Sequence, residues 1–338
     1  GCAFRAPGHP QGCFALEQTI DMLAARLGMD PLELRDRNDT LAARREERRI
    51  GAEKFEWSRR KKAGASSGPV KKGLGVAQSV WFRLHQMDSA AEVRILRDGS
   101  VELFSAVQDL GTGIRTLLAQ VVAEELGLEV KDVTVRIGDT AFPPGPASGG
   151  SWTTASITPP ARNAAAAVRA LMIEKLALAL DVDARAVRIE PGRVVVDGKK
   201  RREMKFVEAA GAMGVAEVSA RTERSPDYAS GDQVTSSTLG GVQFAEVSVD
   251  TETGVIKVER MLAVHDCGRP MNPLQIESQI NGGVIQGISY ALFEDRILDQ
   301  NTGHMVNANL EQYKICLLYT SPSPRDQRPN LVFRLLLE

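Results

Sequence analysis

The residues best suited to binding chemistry lie in a short loop, Asp109-Leu-Gly-Thr-Gly113, between a predicted strand and a predicted helix. Backbone N–H groups at such a junction form a cradle for an anion, and the helix dipole favours negative charge there. Phosphate or pyrophosphate suits this cradle, although a tight strand–helix turn without a ligand has the same composition. The loop is not a P-loop, because no Gly-Lys-Ser/Thr follows, and the full Rossmann spacing is absent.

A second loop, Ala147-Ser-Gly-Gly-Ser-Trp-Thr-Thr154, is rich in small hydroxyl residues and also precedes a predicted helix. Its hydroxyl and amide groups suit hydrogen bonding to a polar heterocycle or a phosphate. Ser and Thr are equally favoured at the N-cap of a helix, so a plain linker is the simpler interpretation of this loop on its own.

Two isolated polar residues complete the candidates. Arg5 lies in a loop of small residues ahead of the first predicted helix, and Gln279 lies in a glycine-rich helix. On its own, each is ordinarily a surface or interface residue. No Ser/His/Asp or Cys/His arrangement can be assembled, and the four histidines lack metal-ligand spacing such as H-E-x-x-H. The segment His265-Asp-Cys-Gly268 is best interpreted as a turn at the end of a strand.

Composition argues against several classes of protein. The chain has 338 residues, 43% hydrophobic and 25% charged, which is ordinary for a globular protein of about two domains. Its 42 Lys and Arg nearly balance 43 Asp and Glu, and a net charge of −1 argues against a nucleic-acid binder that neutralises phosphates. No apolar run of about 18 residues is present, so we expect no membrane span. The four cysteines include no Cys-x-x-Cys pair, which argues against a zinc or an iron–sulfur site. A disulfide framework is not expected in a chain of this length.

Hydrophobic periodicity predicts the elements that position these residues. Helices are expected at 14–27, from Asp30 onward, and at 114–126, 161–180 and 275–294; strands are expected at 92–95, 101–104, 133–137, 193–196, 244–249 and 255–264. The segment 44–72 is charged and then rich in Gly and Ser, so it is expected to be a linker or surface excursion. A loop is expected at 143–160. Mixed hairpins and helices without βαβ alternation predict the α+β class.

The last predicted helix carries three glycines, Gly282, Gly283 and Gly287. Each costs about 1 kcal/mol in a helix interior. We therefore expect a surface or a ligand to pack closely against the backbone of this helix.

Several segments, taken together in order and spacing, resemble one family over nearly all of residues 1–315. The chain resembles the molybdopterin-binding large subunit of the xanthine dehydrogenase/aldehyde oxidase family. The Asp-Leu-Gly-Thr-Gly form, where other members carry Met-Gly-Gln-Gly, is most similar to the bacterial aldehyde oxidoreductase branch. The matching segments are 4–11, 14–18, 29–35, 109–116, 148–154, 266–273, 278–279 and 306–313.

The resemblance implies a fold of two α+β molybdenum-cofactor-binding domains with the cofactor between them. Residues 1–66 would be the C-terminal part of the first domain plus a linker, and residues 73–315 would be the second domain, truncated at its C-terminus. Residues 316–338 continue no earlier periodicity, and Cys316 to Asp326 resembles a translated sequencing adapter of the kind found at the ends of metagenomic genes. This tail is expected to be non-native and to pack against nothing.

The resemblance also implies roles that the spacing alone leaves open. Arg5 matches an arginine near the molybdenum end of the pterin, and Gln279 matches a glutamine that hydrogen-bonds the cofactor. A backbone cradle for the cofactor is matched by Gly111, Thr112 and Gly113. The loop that wraps the pterin and phosphates is matched by Gly149, Gly150, Ser151, Thr153 and Thr154.

The activity implied is oxidation of aldehydes to carboxylic acids by a molybdenum hydroxylase, with water as the oxygen source. The implied cofactor is molybdenum–molybdopterin, typically the cytosine dinucleotide form in bacteria. The 2Fe–2S clusters and FAD are expected on partner subunits, because this chain lacks the cysteines to hold a cluster. A purine or other N-heterocycle hydroxylase of the same family and a non-catalytic nucleotide-binding scaffold are the alternatives. Pro7 stands where purine hydroxylases tend to carry an aromatic residue, which weakens the purine alternative.

The catalytic glutamate of the family lies in a Gly-x-Gly-Glu segment further towards the C-terminus, and this chain contains no such segment. We therefore assign no catalytic residue and no metal ligand. The chain on its own is expected to be inactive, because loss of a general base typically costs a factor of about 10²–10⁴.

Overall fold

The computed structural model describes residues 5–62, 64–82, 84–198, 201–224 and 238–309. The chain forms two compact units, one built from residues 1–82 and 238–338 and the other from residues 83–237. In sequence, the second unit is an insertion into the first. This division differs from the sequence-based domains, whose boundaries stay a prediction. The expected tail, residues 316–338, lies outside the described residues.

Helices and strands alternate irregularly along the chain, which confirms the α+β class. The helices are α1 (His9–Leu27), α2 (Pro31–Asn38), α3 (Ala42–Phe55), α4 (Ile114–Leu126), α5 (Thr153–Leu180), α6 (Phe206–Ala212) and α7 (Pro273–Leu292). The strands are β1 (Val70–Phe82), β2 (Ala90–Leu96), β3 (Val101–Ser105), β4 (Val133–Ile137), β5 (Val187–Glu190), β6 (Arg193–Val196), β7 (Arg202–Met204), β8 (Glu217–Glu223), β9 (Thr238–Asp250) and β10 (Ile256–His265).

The first unit is built on an antiparallel sheet in the order β1-β9-β10. β9 lies at the centre and pairs with β1 along its whole length, from Val70 opposite Asp250 to Phe82 opposite Thr238. Helix α3 packs against β9 and β10. The core of the unit is apolar and aromatic, and it consists of Leu32, Phe55, Trp57, Val76, Val242 and Phe244.

Gly51 allows α3 to lie close to this sheet. A Cβ atom at Gly51 would stand 2.1 Å from Cε2 of Phe244, whose side chain is fully buried. Any larger residue would force the helix away from the sheet, because a packed core has no space to absorb the added atom. The glycine is therefore required by the close approach of α3 to β9.

A buried arginine ties α1, α2 and β1 together. Arg35 on α2 donates to the Glu17 carboxylate on α1 through Nε and Nη2, at 2.9 and 2.7 Å, and through Nη2 to the Val76 carbonyl at 3.2 Å. The backbone N–H of Gln78 donates to the same Glu17 carboxylate at 2.9 Å. Both charged side chains are buried, so removing Arg35 would leave the Glu17 carboxylate without its cation, whereas Arg35 also pairs with Asp21 at 2.9 Å.

The first helix was predicted from the helical spacing of its apolar residues, but most of these face outward in the structure. Leu16, Leu23 and Leu27 on α1 are 59%, 46% and 57% exposed, whereas Glu17 and Ala24 are the residues of α1 that are buried. Periodicity thus located the helix, but the side of α1 that packs against the unit carries Glu17, the carboxylate of the buried ion pair.

Among the described residues, no helix has both the length and the apolar character needed to cross a membrane.

The second unit contains a four-stranded sheet in the order β4-β3-β2-β8 and a small sheet in the order β5-β6-β7. β2 runs antiparallel to β3 and β8, while β3 and β4 are parallel and are joined by α4. Helices α4 and α5 pack against the larger sheet and against each other. Fully buried side chains in this core are Val93, Ile95, Leu103, Leu118, Leu126, Ile157, Met172 and Leu176.

Helix α5 contains two adjacent prolines, Pro159 and Pro160, near its N-terminal end. Proline has no N–H, so the carbonyls four residues earlier, those of Ala155 and Ser156, lose their helical donors. The buried Arg224, which follows β8, donates through Nη1 to both of these carbonyls. One guanidinium thus replaces the two missing N–H groups, which explains how a helix persists through a Pro-Pro pair.

The structure corrects two predicted segments and one boundary. The prediction of a linker at 44–72 is wrong for its first part, because α3 extends to Phe55 and a 3-10 turn follows at Trp57–Arg59. The exposed charges of α3 pair at helical spacing, as in Arg49 with Glu46 at 2.6 Å, and few apolar residues mark the helix. The predicted loop at 143–160 ends early, because α5 begins at Thr153, and α1 begins at His9 rather than at Phe14.

Candidate functional site

Arg5 and Gln279 lie in direct contact in the first unit, although they are 274 positions apart. Nη2 of Arg5 donates to the backbone carbonyl of Gln279 at 3.0 Å and to its side-chain Oε1 at 3.3 Å. Nη1 of Arg5 donates to Oε1 of Gln286 at 3.4 Å. The guanidinium is therefore held from both of its ends while its side chain remains exposed.

The glycines of α7 lie on the face that receives Arg5. Gln279, Gly282, Gly283 and Gln286 follow each other at intervals of three, one and three, which places them on one side of the helix. A Cβ atom at Gly282 or Gly283 would lie 3.7 or 3.9 Å from a guanidinium nitrogen of Arg5, whereas one at Gly287 would meet nothing within 4 Å. The expectation of a close neighbour thus holds for the first two glycines, and that neighbour is Arg5. Gln286 was missed, although it lies two turns after Gln279.

The loop before α1 brings Arg5 to this face. Gly8 precedes the helix with φ 76°, and Ala6 also has a positive φ of 52°, so the backbone reverses sharply after Arg5. His9 packs edge-to-face on Trp81 with ring centroids 4.6 Å apart, and its Nδ1 lies 3.3 Å from the Pro7 carbonyl. The aromatic contact with β1 therefore anchors the loop at the residue where it becomes helical.

In the second unit, N–H groups of the loop 109–113 bind a carboxylate that belongs to the loop itself, that of Asp109. Oδ1 of Asp109 accepts from the N–H groups of Gly111 and Gly113 at 2.9 and 3.1 Å, and Oδ2 accepts from that of Arg115 at 3.1 Å. Burial raises the pKa of Asp109, but these N–H groups stabilise the carboxylate more, and the net pKa lies below its usual value. The cradle predicted for phosphate is thus filled by a carboxylate.

The loop 147–154 is held by side chains of its own second unit. The indole N–H of Trp152 and the hydroxyl of Thr153 both donate to the Ala147 carbonyl, at 2.6 and 3.3 Å. The Ala147 N–H donates to Oε1 of Gln86 at 2.8 Å. At the tip of the loop, Gly150 and Ser151 both have positive φ, 56° and 60°. This backbone conformation is unusual for Ser and is typical of functional loops.

The two predicted loops of the second unit are neighbours. The hydroxyl of Ser148 donates to the carbonyl of Gln108, the residue before Asp109, at 3.5 Å. Thr112, Ser151 and Thr154 are exposed, as are Gly149 and Gly150. The structure thus brings the predicted residues together in two groups. One group is Arg5 with Gln279 in the first unit, and the other is the pair of loops in the second unit.

A buried acidic residue that the sequence analysis did not single out lies where β10 ends. Oε1 of Glu47 on α3 accepts from the Asp266 N–H at 2.7 Å, and among the described residues its buried Oε2 has no hydrogen-bond partner. Burial, only partly offset by the Asp266 N–H, raises the pKa of Glu47 to about 7. Asp266 in turn accepts from the N–H of Gly268 at 2.8 Å, so the predicted turn after His265 is present. This turn begins the connection from β10 to α7.

Comparison with known families identifies the same kind of domain over most of the chain. Two family models, both described as a molybdopterin cofactor-binding domain, match residues 1–39 and residues 42–322. The first match covers α1 and α2, and the second covers all later elements. The second match extends past Cys316 into the segment that the sequence analysis separates as a tail.

Two relatives are named as molybdenum-binding subunits. The aldehyde oxidoreductase molybdenum-binding subunit PaoC of Escherichia coli is 34% identical over 331 residues, which cover 93% of this chain and 43% of PaoC. A xanthine dehydrogenase molybdenum-binding subunit of Escherichia coli is 30% identical over 347 residues, with 93% and 44% of the two chains covered. The chain therefore spans less than half the length of these relatives.

A solved structure shares the fold. The quinoline 2-oxidoreductase of Pseudomonas putida matches with a TM-score of 0.73 and 27% sequence identity, over 96% of this chain and 44% of that one. The match covers nearly all the elements described above. The order of helices and strands in both units is thus that of a known enzyme architecture.

Proposed function

Because this chain belongs to the xanthine dehydrogenase/aldehyde oxidase family of molybdopterin-binding large subunits, we propose that it holds the cofactor in an enzyme that oxidises aldehydes to carboxylic acids. The observation that carries the proposal is the contact between Arg5 and Gln279, which the family resemblance singles out separately. Water is the oxygen source in the proposed reaction. Molybdopterin supplies the oxidation–reduction chemistry when it is bound.

The hydrogen-bond donors of the described residues suit such a cofactor. A molybdopterin carries negatively charged phosphate and many acceptor atoms. Arg5 offers a cation at every physiological pH, and its planar fork forms paired hydrogen bonds with oxygen atoms. In the second unit, the exposed hydroxyls of Thr112, Ser151 and Thr154 add neutral donors. The residues present in each unit therefore fit the group.

The contacts give Arg5 and Gln279 different roles in the proposed site. Oε1 of Gln279 accepts from Arg5, which leaves the Nε2 amide group of Gln279 as the end that can donate to a bound molecule. Gln286 fixes the other end of the guanidinium, so that Arg5 keeps its orientation before any ligand arrives. Preorganisation of this kind reduces the entropy lost on binding. In our proposal, Arg5 supplies charge and Gln279 supplies a directed N–H.

We extend the proposal to the cytosine dinucleotide form of the cofactor and to partner subunits that carry 2Fe–2S clusters and FAD. Four cysteines without a Cys-x-x-Cys pair are too few and too scattered to hold such clusters. PaoC, the relative described above, is itself named as the molybdenum-binding subunit of its enzyme. The sequence-based domains 1–66 and 73–315 and the tail 316–338 remain part of the proposal.

Hydroxylation of an aromatic N-heterocycle is the second candidate activity. It is favoured by the TM-score of 0.73 to a quinoline 2-oxidoreductase. Pro7 argues against it for purines, since an aromatic residue at that position would stack on a planar substrate and a proline offers less surface. Aldehydes need no such stacking, and they remain the first candidate.

The test is to produce the complete subunit that contains this chain, with its partner subunits, in a host that makes the molybdenum cofactor. Bound molybdenum and released pterin nucleotide are measured, and turnover is compared on aldehydes, quinoline and xanthine with an artificial electron acceptor. We expect molybdenum near one per subunit and oxidation of aldehydes. Molybdenum with turnover of quinoline alone would select the second candidate. A bound nucleotide without molybdenum or turnover would establish the non-catalytic scaffold and refute both enzymes.

A further inference from the structure

Helix α4 begins in an unusual way. Its N-cap residue is Gly113, which has no side chain to satisfy the free N–H groups of the first turn. Asp109, four residues earlier, accepts from one of these groups, the N–H of Arg115, and from the N–H groups of Gly111 and Gly113 just before the helix, at 2.9 to 3.1 Å. The loop is thereby folded around a carboxylate of its own sequence.

This carboxylate changes what the loop can bind. The N–H groups of Gly111, Gly113 and Arg115 are already paired, and an arriving phosphate would face the negative charge of Asp109 at short range. A second anion would therefore gain no donor from these three groups and would lose energy to repulsion. The same loop exposes Thr112, whose hydroxyl carries no charge.

The neighbouring loop 147–154 lacks an acidic residue. Space also remains beside it, since a Cβ atom at Gly149 would meet nothing within 4 Å. The carbonyl of Ala147 accepts hydrogen bonds from the side chains of Trp152 and Thr153 within the loop, whereas the hydroxyls of Ser151 and Thr154 remain exposed. Of the two adjacent loops, this one is therefore open to a phosphate.

We infer that Asp109 is a positioning residue of the proposed cofactor site. Its carboxylate occupies the N–H groups of Gly111, Gly113 and Arg115, fixes the loop that exposes Thr112, and leaves the phosphate groups of a bound molybdopterin to the loop 147–154. The inference rests on the proposed function for the identity of the ligand, but the state of the loop is a property of this chain alone. The N–H groups of Gly111 and Gly113, which were expected to bind a phosphate, are thus assigned to the carboxylate of Asp109.

The first experiment tests the loop and needs no cofactor. Asp109→Ala, Asp109→Asn and the wild type are compared by amide hydrogen exchange and thermal unfolding, in acetate and in chloride of equal ionic strength. In chloride, Asp109→Ala should exchange the amides of Gly111, Gly113 and Arg115 about ten- to a hundredfold faster than the wild type. Acetate should restore protection and raise Tm in this variant only, because it supplies the missing carboxylate. Asp109→Asn, which keeps one acceptor oxygen, should lie between the two.

Asp183→Ala is the matched control, because Asp183 also caps a turn in the second unit but accepts from a single N–H, that of Arg185. Its loss of stability should not respond to acetate. Equal acetate effects in all proteins would show that the three amides do not form a carboxylate site. Stabilisation of the wild type by inorganic phosphate, with altered exchange at Gly111 and Gly113, would show that the cradle is open. Either result overturns the inference.

The second experiment tests the link to the cofactor in the complete holoenzyme. Asp109→Ala should retain about tenfold less molybdopterin after gel filtration, and acetate in the buffers should restore part of the loss. Full retention in a variant that has lost amide protection would refute the positioning role. If the wild type itself bound no molybdopterin, the proposed function would fail, whereas the loop result of the first experiment would stand or fall independently.

Discussion

The guanidinium of Arg5 donates to both oxygens of Gln279, the main-chain oxygen at 3.0 Å and the side-chain oxygen at 3.3 Å. A residue next to the N-terminus and a residue on the last described helix therefore meet with defined geometry. Arg5 is exposed and belongs to no buried ion pair in the described residues. In the function proposed above, the contact orients the cation of Arg5 for the cofactor.

Replacement of Arg5 should therefore affect ligand retention more than folding. In the holoenzyme, we expect Arg5→Ala to lower the retained molybdopterin about ten- to a hundredfold, the value of one or two charge-assisted hydrogen bonds. Arg5→Lys should retain more, but less than the wild type, since lysine keeps the charge and loses the fork. Arg26→Ala, a change of the same kind in the exposed last turn of α1, is the control and should retain all of it. An equal loss of molybdopterin in both alanine variants would show that Arg5 does not contact the cofactor.

Replacement of Arg224 should destabilise the second unit through the prolines of α5. Arg224→Ala leaves the carbonyls of Ala155 and Ser156 without donors, at a cost of about 2–3 kcal/mol. At roughly 2–4 °C per kcal/mol, Tm should fall by about 5–10 °C. Arg221→Ala on β8, which removes only an exposed pair with Glu223 at 3.5 Å, should change Tm little.

The prolines themselves provide a further check on Arg224. If Pro159 and Pro160 are both replaced by Ala, the helix regains its own N–H donors. Arg224→Ala should then cost less in this background than in the wild type. Strict additivity of the changes would show that the arginine does not act through the prolines.

Replacement of Gly51 should distinguish a required glycine from a tolerated one. Gly51→Ala would place a methyl group 2.1 Å from the ring of Phe244, and we expect a loss of about 1–3 kcal/mol. Gly12→Ala in α1 is the control. Nothing lies within 4 Å of a Cβ atom there, so alanine should stabilise the helix by about 0.5–1 kcal/mol. Chemical denaturation should show the two variants moving in opposite directions, and movement in the same direction would contradict the packing of α3 on β9.

The ionisation of Glu47 should make the stability of the first unit depend on pH. Because burial raises its pKa in the folded state to about 7, against 4.5 for an unperturbed glutamate, the folded state binds a proton more tightly than the unfolded chain. The stabilisation is complete below about pH 4.5 and is lost as pH rises through 7. The loss amounts to at most about 3 kcal/mol.

Glu47→Gln provides the test of this dependence. It keeps an oxygen for the Asp266 N–H and cannot ionise, so its stability should vary less between pH 5 and pH 8. At pH 8 it should unfold at a higher temperature than the wild type. Arg44 and Arg48 oppose the rise in pKa, as does the N–H of Asp266, while the charge of Asp266 supports it, and all three residues remain unchanged in this comparison. Parallel pH profiles for the two proteins would show that Glu47 ionises normally.

The sequence predicted local elements well where one physical signal dominates. Helix α4 has the predicted bounds because its apolar residues repeat at helical spacing and Gly127 adopts the left-handed conformation at its end, φ 67°. The start of α2 is also as predicted, since Asp30 accepts from the Leu32 N–H at 2.8 Å. The hairpin of β2 and β3 follows from alternation around Asp98-Gly99.

The remaining features depend on partners that are distant in sequence. Helix α3 was missed because its packing relies on a glycine and on one phenylalanine, Phe55, rather than on an apolar stripe. The early start of α5 depends on Arg224, more than 60 positions away. The binding of the Asp109 carboxylate by its own loop was also missed, although Asp109 is the first residue of the predicted loop motif. A carboxylate at the start of a loop of free N–H groups is the signal that would have revealed it.

The insertion of the second unit between β1 and β9 sets an order of events during synthesis. When the ribosome has released residue 237, every strand and helix of the second unit has been made, but β1 still lacks β9, its partner in the sheet. The core of the first unit therefore cannot be completed until Phe244 is synthesised, because Phe55 and Trp57 pack against this residue. We expect arrested nascent chains that end near residue 237 to resist protease in the described elements from β2 to β8 and to be cut in those from α1 to β1. The same delay leaves the described residues before β2 exposed to misfolding until β9 has been made.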